Sequence, residues 1–215
     1  MTGLRRRVIL ATVAAVALAA VTGATALQGK AQTGDGTMPP ATIDWNHVPY
    51  NPAVAAKSTQ GVRGMVAARD DVDRTMLPIL LPDASTGVDR SALNFSSEGD
   101  VYDINLPQAT PGLRVLLSGN RVYVPVEPGT LKGIKYDRVV MGGQVVNALI
   151  QRTEDGWLAS FMRFNVSYTV EVICDEAPAE GYCADDAYIR KVTSGMTEVV
   201  LGAAGLKDQD LHVDK

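Results

Sequence analysis

Between Ala148 and Cys174 apolar and polar residues alternate through three short runs, broken by Asp155-Gly156 and by Asn165-Val166-Ser167. Alternation with period two puts successive side chains on opposite faces, so such a segment buries one face as a ribbon of strands. Taking Asp155-Gly156 as a two-residue hairpin turn sets Arg152 against Ala159 and Ile150 against Phe161. A second turn at Val166-Ser167 sets Phe161 against Val172 and Ala159 against Cys174. One face of this meander, residues 148–174, then carries Ala148, Ile150, Ala159, Phe161, Val170, Val172 and Cys174, with Arg152 and Arg163 at its margins. The other face mixes Gln151, Ser160, Thr169 and Glu171 with Leu149, Met162 and Ile173. The first face is the expected core.

Residues 113–126 repeat the pattern. With Gly119-Asn120 as a two-residue turn, Leu117 meets Val122, Val115 meets Val124 and Leu113 meets Val126, all on one side. Arg114, Ser118, Arg121 and Tyr123 take the other side, where Leu116 is the apolar exception. Residues 77–81 and 102–106 read as further short strands, and Pro78 and Pro82 restrict the former to a sheet edge. After Cys183 the period changes. Tyr188, Ile189, Val192, Met196 and Val199 recur at helical spacing, and Asp185 and Asp186 stand where a helix start favours acids. The expected fold is α+β: mostly antiparallel β, with a hairpin at 113–126, the meander at 148–174 and a C-terminal helix at about 185–200 packed on the sheet.

The N-terminus carries an address. Arg5-Arg6-Arg7 precedes an apolar or small run from Val8 to Val21, and Ala24-Thr25-Ala26 supplies the small residues that signal peptidases accept. Residues 1–26 therefore read as an export signal, with the mature chain beginning near Leu27. Two alternatives use the same residues. Left uncleaved, residues 8–27 would form a transmembrane anchor and the chain's link to the inner membrane; the arginines also suit a twin-arginine export route. Residues 27–70, rich in Pro, Ala and Gly, read as a flexible tether, 71–205 as one globular domain and 206–215 as a disordered tail. The tether's Trp45 and Tyr50 are candidate partner-docking residues.

Charge and cysteines narrow the function. Without the three signal arginines the net charge of −4 becomes −7, which is the wrong sign for binding nucleic acid through its phosphates. Two cysteines nine positions apart, in a chain routed to an oxidising space, read as one disulfide, Cys174–Cys183. Histidines 47 and 212 fall in the tether and the tail, away from any rigid element that could hold a catalytic geometry. The chemistry-bearing residues that remain are carboxylates, chiefly Glu98, Asp100 and Asp103, which could serve acid–base hydrolysis if the fold brought a pair within about 5–10 Å. No cofactor or metal motif is present in the sequence. The expectation is a periplasmic or secreted, non-enzymatic binding or structural module that meets another envelope or extracellular protein. A small carboxylate-dependent hydrolase acting on cell-wall material and an inner-membrane-anchored subunit of an envelope assembly are the alternatives.

Overall fold

The computed structural model of the chain describes residues 40–49, 68–121 and 134–213. The export segment, Tyr50 and the 122–126 half of the expected hairpin lie outside them. The described chain is α+β and mostly antiparallel, as expected. Strands β1 (Ile79–Pro82), β2 (Asn94–Ser97), β3 (Val101–Pro107), β4 (Leu113–Asn120), β5 (Asp137–Met141), β6 (Gln144–Arg152), β7 (Gly156–Arg163), β8 (Val166–Cys174) and β9 (Met196–Val200) are joined by helices α1 (Arg69–Arg74), α2 (Ala187–Ser194) and α3 (Ala203–Val213). Seven strands form one antiparallel sheet in the order β2-β3-β4-β8-β7-β6-β5, and β1 pairs with β9 in a second, two-stranded sheet.

The face each strand residue takes follows the alternation. Leu113, Val115 and Leu117 are buried while Arg114, Leu116 and Ser118 are less so, and Ala159, Phe161, Val170 and Val172 line the same core face. Strand β1 lies over that face and is fully buried, with β9 paired along its edge. Two tyrosines tie the layers together. The Leu80 N–H donates to the Tyr102 hydroxyl at 3.0 Å, and the Tyr168 hydroxyl donates to the Pro78 carbonyl at 2.9 Å. Burial pushes both hydroxyls above their usual ionisation range. Unfolded tyrosines ionise near pH 10, so above that pH the native state keeps protons that the unfolded state has lost. Stability is therefore expected to fall as pH rises past 10, by about 1.4 kcal/mol per pH unit for each buried tyrosine. Tyr102→Phe should make the decline in urea midpoint between pH 9.5 and 11.5 shallower by one tyrosine's share. An unchanged slope would show that Tyr102 already ionises in the native state.

The turns depart from the expectation, with identifiable causes. Gly119-Asn120 is not a turn: both residues continue β4, with Gly119 between Tyr102 and Tyr168 and Asn120 between Val101 and Ser167. The glycine answers a different need, since a Cβ there would run into the Tyr102 ring. The β6–β7 turn centres one residue earlier than expected, on Glu154-Asp155, with the Thr153 N–H donating to the Gly156 carbonyl at 3.0 Å. The β7–β8 turn is Phe164-Asn165, both at positive φ, rather than Val166-Ser167. Ile150 consequently faces Ala159 and Phe161 faces Tyr168. The pairing is thus displaced by two residues in the first hairpin and by four in the second; both are even, so every side chain keeps its face.

The expected helix at 185–200 is real over Ala187–Ser194, where Ile189 and Val192 are buried against the sheet. It starts where the Asp185 carboxylate accepts the Ala187 N–H at 2.9 Å. Beyond Gly195 the stretch Met196–Val200, with β-branched Thr197, Val199 and Val200, becomes β9 instead, because its pairing with β1 gives that strand's backbone its partner. Two disordered assignments are also corrected. Within the expected tether, residues 40–48 hold Ile43, Trp45 and Val48 in the core, with backbone bonds to Arg121 and Phe164. Within the expected tail, α3 runs to Val213, and its Asp208 carboxylate accepts the Trp45 indole N–H at 3.0 Å. Each segment lends the other a polar partner and apolar cover.

Candidate functional site: the outer sheet face

With β1, β9 and α2 on one face of the large sheet, the other face is left to short polar side chains. Cross-strand pairing places Ser96, Asp103, Ser118, Thr169 and Ser160 in one row, and Asn94, Asn105, Leu116, Glu171, Leu158 and Gln151 in the next. Neighbouring members of a row are about 4.8 Å apart across the strands. Asn94, Ser96, Asp103, Asn105, Ser118, Thr169 and Glu171, with Leu116 on the floor, line a shallow groove of ≈ 380 Å³. Toward the β5 edge the same face turns apolar. Tyr136, Val140, Val145 and Met162 are 45–56% exposed. The result is a broad, hydroxyl-rich surface with two carboxylates at one end and an apolar border at the other.

The predicted acidic trio is divided by this arrangement. Asp103 stands on β3 in the groove. Asp100 is in the β2–β3 turn, ion-paired to Arg121, whose N–H also donates to the Asp100 carbonyl at 3.2 Å. Glu98 is exposed in the same turn, its N–H bonded to the Val101 carbonyl at 3.0 Å. The carboxylate that shares the groove with Asp103 is Glu171, two strands away on β8, hence about 10 Å across the sheet. The alternation alone had placed Glu171 on this face; its nearness to Asp103 needed the β3-β4-β8 order.

The docking assignment of Trp45 is corrected: its ring is 3% exposed and its indole nitrogen is engaged, so it offers nothing to a partner. Tyr50 lies outside the described residues. His47 is exposed with Nδ1 2.7 Å from the Asp44 carboxylate, and His212 is bonded to the Asp208 carbonyl at 2.7 Å. Among the described residues no group of three His, Cys, Asp or Glu side chains could hold a metal ion. No described helix is long and apolar enough to cross a membrane. Cys174 and Cys183 are disulfide-bonded, with Cα atoms 6.2 Å apart. That bridge pins the segment before α2 to the end of β8, and the Cys183 carbonyl accepts from the Trp157 indole at 3.1 Å and from Arg152. A disulfide is compatible with life outside the cytoplasm.

No known protein family, curated protein or solved structure matches the chain.

Proposed function

We propose that the protein is an exported, non-enzymatic module of the cell envelope or extracellular space, and that the outer sheet face meets its partner. The observation that carries this reading is the asymmetry of the large sheet: one face holds the core, while the other presents the hydroxyl-rich groove and an apolar border about half exposed. Exposed apolar residues that adjoin one another on a folded surface mark interaction sites more often than scattered ones do. The signal-like N-terminus and the disulfide support the location.

Two outer-face substitutions test the surface without touching the core. Ser118→Arg with Thr169→Arg fills the groove with long cations while leaving the melting temperature within a few degrees of wild type. Immobilised mature protein should bind a saturable component of the producing cell's envelope or medium, and the double variant should lose it. Retention of the same partner at the same affinity by the variant would remove the outer face from the proposal. Mass spectrometry of the native N-terminus tests location separately: a start near Leu27 supports export, whereas an intact Met1 in the membrane fraction supports the anchored alternative.

A further inference from the structure

The large sheet ends in two different edges. At one end β2 carries Asn94, Ser96 and Ser97 and is packed by α1. At the other, β5 runs from Asp137 to Met141 with no proline and no break in its register against β6. Which of its backbone groups face outward follows from the turn. Gly142 and Gly143 both have positive φ, as a two-residue hairpin turn of the primed type requires, so Met141 and Gln144 exchange hydrogen bonds. Alternation then turns Val139 and Asp137 toward β6 as well, and the N–H and C=O groups of Arg138 and Val140 point off the sheet. Among the described residues nothing bonds to those outward groups. A row of unpaired strand groups is a template for another strand.

Side chains along this edge are exposed as well. Val140 pairs with Val145 on the outer face, and both are about half exposed. On the core face Val139 is buried, and Asp137 pairs with Arg190 of α2 at 3.1 Å. We infer that β5 pairs antiparallel with β5 of a second copy of the chain, about a two-fold axis through Val139. In that register Arg138 of each copy lies opposite the partner's Val140, so the outward groups of both residues are satisfied on both copies at once. Each Val140 rests against the aliphatic stem of the partner's Arg138, and the two Val139 residues meet at the close, non-hydrogen-bonded spacing where β-branched pairs fit. A register centred on Arg138 would set two guanidinium groups against each other. One centred on Val140 would place the partner's Arg138 against the Gly142 turn and lose half the bonds. A foreign strand would have to bring an apolar residue opposite Arg138 and a long side chain opposite Val140; β5 itself carries both. The axis is normal to the sheet, so the two hydroxyl-rich grooves face the same way.

Sedimentation equilibrium of the full mature chain tests the pairing. An edge contact this short buries less than the roughly 1,000 Å² of a tight complex, so a reversible dimer with a dissociation constant on the order of 100 µM is expected. Val140→Lys sets a like charge against the partner's Arg138 twice per dimer and should weaken association about tenfold. Val140→Glu sets an opposite charge in the same place and should hold or tighten it. Val140 is 56% exposed, so both variants keep the fold. Val140→Pro removes an outward N–H without taking a bond from β6, and it should abolish the dimer. The Ser118→Arg, Thr169→Arg variant should dimerise like wild type whatever its effect on partner binding, so this inference and the outer-face proposal fail separately; loss of the dimer there would move the contact to the groove. A chain that stays monomeric at about 1 mM, equal weakening by Val140→Lys and Val140→Glu, or a dimer that survives Val140→Pro would overturn the inference.

Discussion

Gly156→Ala is expected to destabilise the protein by about 3 kcal/mol, the upper end of what an added methyl costs in a packed interior. Gly156 opens β7 opposite Ile173, and a Cβ at that position would overlap the Val172 carbonyl oxygen of β8, with the Val172 carbonyl carbon at 2.9 Å and Cys183 Sγ at 3.3 Å. The obstacle is backbone held by sheet hydrogen bonds, so no rotamer change relieves it, and the strand pair must separate locally. Gly99→Ala is the matched control. Gly99 has a φ of +76° and open space around it, so its substitution costs only the left-handed backbone penalty, about 1–2 kcal/mol. Urea unfolding should rank Gly156→Ala well below Gly99→Ala in midpoint at similar slopes. The reverse order would mean that β7 and β8 have more room between them than their close approach at Gly156 implies.

Removing the disulfide should have a comparable effect. Joining residues nine apart restricts the unfolded chain by about 2.5–3 kcal/mol on the chain-entropy view. For a domain of this size that corresponds to a loss of roughly 5–12 °C in melting temperature. The Cys174→Ala, Cys183→Ala double variant is the right probe, because Cys183 is 3% exposed and a serine hydroxyl there would add a burial cost of its own. Wild-type protein in excess dithiothreitol should melt close to the double variant. The segment most affected is 175–186, which is also tied to β7 by the Trp157 bond and to β6 by the Arg152 bond to the Cys183 carbonyl. Amide exchange should accelerate there first and leave β3, β4 and β8 protected until global unfolding. Identical melting with and without reductant would show that the bridge contributes nothing.

Much of the fold was legible because its signals are local. Alternation assigned Ala159, Phe161, Val170 and Val172 to the core and Ser160, Thr169 and Glu171 to the opposite face. The cysteine pair was legible from its even count, its spacing and the expected export. Glycines misled where one residue type serves two ends: Gly119 looked like a turn former, yet it is there to admit the Tyr102 ring. The Phe164-Asn165 turn was missed because a phenylalanine at positive φ carries no turn signature; the site holds it through Arg163 above its ring and Asp44 on its carbonyl. Residues 40–48 and α3 read as loose because neither is apolar enough alone, and the Trp45–Asp208 bond that joins them spans most of the chain.

By itself, then, the amino-acid order determined which way each strand side chain points, since a period of two is a property of neighbouring residues. Tertiary structure alone decided which strands lie side by side, and with that the placing of Asp103 and Glu171 in one groove, the burial of Arg163 and the layer formed by β1 and β9. Those outcomes depend on contacts between residues tens of positions apart, where many pairings satisfy the same local pattern and only the one that fills the core while satisfying the backbone survives.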